Sequence, residues 1–311
     1  MLAISFSRVM KKSFPLAAFF ACLSFSLVSQ AQEIAFTFDD LPAHSSLPPG
    51  ETRQQVASKI IEAINAAHLP PVYGFMNGIR VEDQPDTIQV LEAWRAAGLP
   101  LGNHSWSHMN LNQHTLEEFE ADVLKNEPLL RKEMGDADWH WFRFPNLAEG
   151  DTPEKRAAVR SFLAQHGYKI AGVTMSFADY NWNAPYARCS TKGDTAAIAQ
   201  LESSYLAAAD QSISFYREMS KTLYGRDIPY VLLMHLGAFD ARMRPRLFEL
   251  YRSHGFKFVT IDDAQRDEFY RSDMNPALAA GPQNLEGAMA ARHLTLPPRP
   301  ASTISLDTLC Q

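Results

Sequence analysis

Short apolar runs alternate with stretches of helical period along this chain, and that alternation is the strongest constraint on its fold. Residues 34–38, 72–76, 99–102, 141–144, 168–174, 230–234 and 257–261 read as strands. Between them lie apolar faces such as Val56, Ile60, Ile64 and Ala67, or Leu247, Phe248 and Tyr251, at helical spacing. The joins carry helix punctuation. Thr115-Leu116-Glu117-Glu118 is a capping box, Thr152-Pro153 is a helix start, and Asp194 caps a long helix that Gly225 closes. Gly167-Tyr168-Lys169 and Gly255-Phe256-Lys257 repeat one motif ahead of two of the runs. Such alternation predicts a parallel sheet in an α/β fold.

Two architectures answer that description, an open doubly wound sheet and a (β/α) barrel. The placement of the polar residues favours the barrel. Asp39, Asp40, His104, Arg143, Asp179 and His235 each lie at or just beyond the end of an apolar run. A barrel gathers its chemistry from the carboxyl ends of many strands, whereas an open sheet concentrates it at one switch point. About seven parallel strands are expected.

The two ends of the chain break the rhythm. Residues 1–31 read as a secretory signal peptide: Arg8, Lys11 and Lys12 form a positive start, residues 14–28 an apolar core, and Ser29-Gln30-Ala31 a small-residue cleavage site. That core is shorter than the roughly 20 apolar residues of a membrane span, so no stable membrane insertion is expected after cleavage. Export points to the periplasm or the extracellular space. Residues 32–271 form the expected barrel domain. Residues 272–311 are rich in proline and read as an irregular extension. Without Arg8, Lys11 and Lys12, the 29 basic residues fall to 26 against 35 acidic ones. No basic stripe is left to hold phosphates, which argues against a nucleic-acid partner. Cys189 and Cys310 could pair in an oxidising compartment, and spacing alone does not establish that they do.

The polar run ends suggest one metal site. His104 and His108 are four apart and would face the same way on a helical turn after the third strand. Two histidines and one carboxylate can hold zinc with a position left open. Asp40 is the candidate carboxylate, and its neighbour Asp39 is then free to act as a general base. Adjacent strand residues point to opposite faces, so both carboxylates can reach one site only where the pleat is lost. Arg143 could hold Asp39 ionised by a charge-assisted contact. His235 could donate a proton, with Asp179 raising its pKa. Tyr180, Trp182 and Tyr186 could form an aromatic wall of the kind on which sugars stack.

This pattern resembles the polysaccharide deacetylases, the carbohydrate esterase family four or NodB-homology group. Thr37-Phe38-Asp39-Asp40 matches the family's first motif, and His104-Ser105-Trp106-Ser107-His108 the second. Arg143-Phe144-Pro145 matches the third, residues 179–182 a shortened fourth, and Leu232-Leu233-Met234-His235 the fifth. The resemblance runs from about residue 34 to residue 261. It implies a distorted (β/α) barrel and a divalent metal, zinc first, on Asp40, His104 and His108. It implies Asp39 as base, oriented by Arg143, and His235 as acid, tuned by Asp179. The oxyanion and substrate side would involve Pro145, Trp182 and the Asn146 backbone N–H. One departure stands out. The family places an aromatic residue and a glycine after this proline, and here Asn146 and Leu147 follow instead.

The function expected from the resemblance is a secreted metal-dependent hydrolase that removes acetyl groups from N-acetylated glycans such as peptidoglycan or chito-oligosaccharides. O-acetyl esters are chemically close. A catalytically impaired carbohydrate-binding protein on the same fold is the alternative, supported by the altered third motif. A non-haem iron oxygenase site uses the same ligand types but fits the order of the residues poorly.

Overall fold

A computed structural model describes residues 32–275, 277–278, 281–300 and 304–311. The expected signal peptide lies outside the described residues. In chain order the elements are β1 (Gln32–Leu41), α1 (Arg53–Ala66), β2 (Tyr73–Met76), α2 (Ile79–Asp83), α3 (Ile88–Ala96), β3 (Leu101–Asn103) and α4 (Leu116–Met134). Then follow β4 (Trp141–Phe142), α5 (Pro153–Gln165), β5 (Lys169–Ile170), α6 (Asn183–Lys192), α7 (Thr195–Tyr224), β6 (Tyr230–His235), α8 (Ala238–Ser253) and β7 (Phe256–Phe258). Three short helices complete the chain: α9 (Ile261–Ala264), α10 (Glu268–Ser272) and α11 (Leu285–Ala291).

The strands form one parallel sheet in the order β5-β4-β3-β2-β1-β6, with β7 on the first residues of β1. β1 is its centre. Its residues are buried from Ile34 to Leu41, as expected of a strand covered on both faces. The alternation decides which side chain goes where. Phe36 packs edge-on against Phe248 and Tyr251 of α8 and Phe258 of β7, and Phe38 meets Trp94 of α3. Thr37 and Asp39 point to the opposite face, where Arg143 meets both. The sheet curls until its ends meet. Thr174 and Met175 donate to Val231 O at 3.1 Å each, and Leu233 donates back to Met175 O at 3.1 Å. The result is a distorted (β/α) barrel, as the sequence led us to expect.

Where the structure departs from expectation, hydrogen bonding explains it. The run 168–174 is not one strand. β5 covers two residues beside β4, and the chain then changes partner to β6. β4 stops at Phe142, shortly before Pro145, which has no N–H to continue a ladder. β7 ends at Phe258, because the Thr260 side chain caps α9. The helix punctuation holds: Thr115 and Glu118 form the capping box of α4, Asp194 caps α7, and Gly225 ends it at a φ of 68°.

The carboxyl-terminal residues are less irregular than their proline content suggests. Asn284 caps α11, which buries Leu285, Ala288 and Met289. Arg188 donates to the carbonyls of Leu306 and Leu309, and Cys310 is disulfide-bonded to Cys189 across a sequence separation of 121. Closing so long a loop restricts the unfolded chain, so replacing both cysteines with serine is expected to cost about 2–4 kcal/mol. Urea unfolding under non-reducing conditions measures this. An unchanged midpoint would show that the bond does not hold the tail to the barrel.

Candidate active site

The pleat of β1 is lost where the chemistry begins. Asp40 has a φ of 61°, and the register with β2 slips between Phe38 and Leu41. Aspartate tolerates this left-handed region better than most residues. The turn brings both carboxylates to one cleft of about 400 Å³ at the carboxyl end of the strands.

Asp39 is held by Arg143, whose Nη1 donates to Oδ1 at 2.9 Å and Oδ2 at 3.1 Å. The same guanidinium donates to Thr37 Oγ1 at 3.1 Å and Ala171 O at 2.8 Å. Burial draws the Arg143 pKa down, and the Asp39 charge works against that.

Asp40 faces the histidines. Its Oδ1 lies 3.6 Å from His104 Nε2 and 3.3 Å from His108 Nε2. This oxygen is buried and has no hydrogen-bond donor among the described residues. His104 Nδ1 lies 2.7 Å from the Arg143 carbonyl, so the ring proton sits on Nδ1 and the Nε2 lone pair faces Asp40. Burial lowers the His104 pKa and keeps that lone pair free, although Asp39 and Asp40 oppose the shift. Burial also resists ionisation of Asp40, but His104, His108, His235 and His44 outweigh it and hold its pKa at about 2. An orphaned buried carboxylate oxygen facing two imidazoles is the donor set that a zinc ion needs. The Asp40, His104 and His108 ligand atoms lie within 4.8 Å of one another.

The helical turn expected for residues 104–108 is absent. The segment is a loop in which Ser105 and His108 take φ values of 59° and 58°. Buried amides shape it instead. Asn77 donates to the carbonyls of His104 and Ser105, Asn103 Oδ1 accepts from Ser105 N at 2.9 Å, and Asp122 Oδ2 accepts from Ser107 N at 3.0 Å. Asn126 on α4 ties the group together by donating to Asn103 Oδ1 and Met76 O. Sequence reasoning missed all four residues. Their signal was a polar side chain at an otherwise apolar position, as in Asn103 closing β3.

His235 ends β6. Its Nδ1–H and backbone N–H both donate to the buried Asp179 carboxylate, at 2.8 Å each. Burial would lower the imidazole pKa, but Asp179 prevails, with Asp40 and Asp39 adding to it, and raises it to about 9. Behind Asp179, Asn183 and Tyr205 donate to the buried Asp240 carboxylate, at 2.7 and 3.0 Å.

The polysaccharide deacetylase family profile matches residues 28–171, which hold the first three motifs. Over that segment the chain is similar to the polysaccharide deacetylase family. The chitin deacetylase of the fungal pathogen Colletotrichum lindemuthianum has 19% identity and a TM-score of 0.52, over 76% of this chain and 88% of that one. A polysaccharide deacetylase from Bacillus cereus has 18% identity and a TM-score of 0.51, over 74% and 91%. A carbohydrate esterase family four pseudoenzyme from Bacillus anthracis has 13% identity and a TM-score of 0.52, over 75% and 65%. At these identities the likeness concerns the fold alone. No curated protein matches the sequence.

Against the family pattern, some expected site residues fall elsewhere. Trp182 is buried, donates from Nε1 to Ser204 Oγ at 2.8 Å, and lines a neighbouring cavity of about 430 Å³ rather than the cleft. Tyr186 packs on Phe239, so only Tyr180 remains of the expected aromatic wall. Pro145 is buried and does not line the cleft, whereas Asn146 and Leu147 do. Both take positive φ, 55° and 54°, and Leu147 does so where the family has glycine. His44 was missed entirely. It lines the cleft with Nε2 at 3.4 Å from Asp40 Oδ2, and its place four residues after Asp40 was the available signal.

Asp179→Asn should bring the His235 pKa down from about 9. A raised folded-state pKa stabilises the protonated form. The stability that Asp179 adds is therefore complete below the ordinary value near 6.5 and lost as pH rises through about 9. Imidazole NMR titration of the metal-free protein, with urea unfolding across that window, measures both effects. A His235 pKa still near 9 in the variant would show that Asp179 is not its cause.

Proposed function

We propose that this protein is a metal-dependent deacetylase that hydrolyses acetamide groups on an N-acetylated glycan such as peptidoglycan or a chito-oligosaccharide. The observation that carries the reading is the convergence of Asp39, Asp40, His104, His108 and His235 on one cleft. A fold shared with a pseudoenzyme does not imply activity, so the side chains have to. Asp40, His104 and His108 would hold zinc. Bound there, the ion supplies a Lewis acid and makes water a better nucleophile near neutral pH.

The remaining steps belong to the chain's own groups. Asp39 takes the proton of the attacking water, and its contact with Arg143 holds the carboxylate in place. The Asn146 backbone, on the cleft wall, faces the oxyanion. His235, protonated through its contact with Asp179, gives its Nε2 proton to the leaving amine. Tyr180, exposed at the cleft mouth, offers a sugar a ring to stack on.

We also propose that the protein works in the periplasm or outside the cell. The reading of residues 1–31 as a secretory signal supports this, as does a disulfide that a reducing cytosol would not maintain. Among the described residues no helix is long and apolar enough to cross a membrane.

Acetate release tests the reading, with peptidoglycan, chito-oligosaccharides and acetylated xylan as parallel substrates. Release should be abolished by chelator and restored by zinc. Asp39→Asn should lower kcat by about 10²–10⁴-fold. An Asp39→Asn protein with full activity would exclude this base. Zinc-loaded protein that binds glycan but releases no acetate would favour the impaired binding protein.

A further inference from the structure

Asp40 has two carboxylate oxygens, and only Oδ1 faces the His104–His108 pair. Oδ2 faces the other way, 3.4 Å from His44 Nε2 and 4.0 Å from His235 Nε2. The ligand atoms of Asp40, His44 and His235 lie within 4.8 Å of one another, the same limit that the first set meets. Zinc bonds of about 2.0–2.1 Å put neighbouring donors about 3.3–3.5 Å apart around a tetrahedral ion. The His44 contact already has that spacing, and the His235 contact reaches it by closing about half an ångström.

We propose that Asp40, His44 and His235 form a second divalent-cation site, joined to the first through the Asp40 carboxylate, and that zinc bound there inhibits the enzyme. Each imidazole has its other ring nitrogen engaged: His44 Nδ1 with Ser45 Oγ at 2.7 Å, and His235 Nδ1 with Asp179 at 2.8 Å. That arrangement aims each Nε2 at a metal, which takes the His235 nitrogen by displacing its proton. The His44 loop is clamped by Arg53, which donates to the carbonyls of His44 and Ser45 at 2.6 Å each. The Tyr180 ring lies 5.8 Å from that of His44 and 5.0 Å from that of His235, covering both. Paired metals about 3.5–4 Å apart are an established arrangement. Their mutual repulsion makes the second ion bind more weakly than the first.

Inhibition follows from which atom is taken. His235 Nε2 is the proton donor proposed above, and a cation on its lone pair leaves no proton to give. This consequence rests on that reading. The site itself rests on geometry alone.

Zinc titration of chelator-stripped, tag-free protein tests the proposal, by calorimetry and by metal analysis after gel filtration. The wild type should bind two equivalents, the second more weakly. His44→Phe keeps a ring beside His235 and Tyr180 but should lose the second equivalent and retain the first. Excess zinc should suppress acetate release by the wild type, relative to its rate at one equivalent, and not that by His44→Phe. Circular dichroism checks folding, with His44→Asn as the substitute should the phenylalanine variant fail to fold. Two equivalents in both proteins would overturn the second site. So would a single wild-type equivalent that His104→Ala abolishes and His44→Phe does not. A single equivalent abolished by His44→Phe and kept by His104→Ala would support this site and overturn the first ligand set instead.

Discussion

A guanidinium buried inside the barrel is the constraint on which the site depends. Arg143 meets Asp39 and Thr37 of β1 and the Ala171 carbonyl just past β5. Two charges removed from water are costly, and what offsets that cost here is geometry: several donors of one rigid fork are each given an acceptor. Losing either partner would leave an unpaired buried charge, at roughly 3–5 kcal/mol. The pair therefore ties three parts of the barrel wall together and fixes one carboxylate rotamer.

That fixation separates the roles of two adjacent aspartates. Asp39 continues the strand alternation and turns inward to the cation. Asp40, one residue later, would point to the apolar outer face if the pleat continued. Its left-handed φ of 61° returns it to the cleft, among imidazoles rather than beside a guanidinium. Similar side chains thus acquire different chemistry from one broken dihedral. The same device recurs around the cleft, at His108, Asn146, Leu147 and Ala178, all with positive φ. Such strain is held in place by the surrounding structure, which over-determines these positions.

The fold was legible where it depends on local signals. Capping boxes, glycine stops and the period of the helical faces located the helices, and the positions of the polar run ends favoured a barrel over an open sheet. The ligand candidates were legible for the same reason, since a charged residue closing an apolar run is visible without coordinates. What could not be read depends on distant partners. The loop at 104–108 looked helical because a spacing of four also suits a helix, whereas Asn77, Asn103, Asp122 and Asn126 impose another path through hydrogen bonds. Trp182 looked like a sugar platform because its neighbours in sequence are aromatic. Its indole N–H turned out to bond Ser204 on α7, which no local pattern announces. Residues 168–174 read as one strand because an apolar run does not record a change of partner midway.

That change of partner also shapes the site. If residues 168–174 had stayed paired with β4, the sheet would have remained open at β5 and β6. By passing to β6 at Thr174 and Met175, the chain closes the ring and starts the turn that delivers Asp179 beneath His235. Asp179 then accepts both the ring N–H and the backbone N–H of that histidine, so ring orientation and backbone position are fixed by one carboxylate. Closure of the barrel and orientation of the candidate proton donor are thus consequences of the same few residues. A shift of register there would move the acid relative to Asp39, while the carboxylate and imidazoles of the proposed metal set, which come from β1 and the loop after β3, would stay together. The two halves of the site are therefore separable in structure.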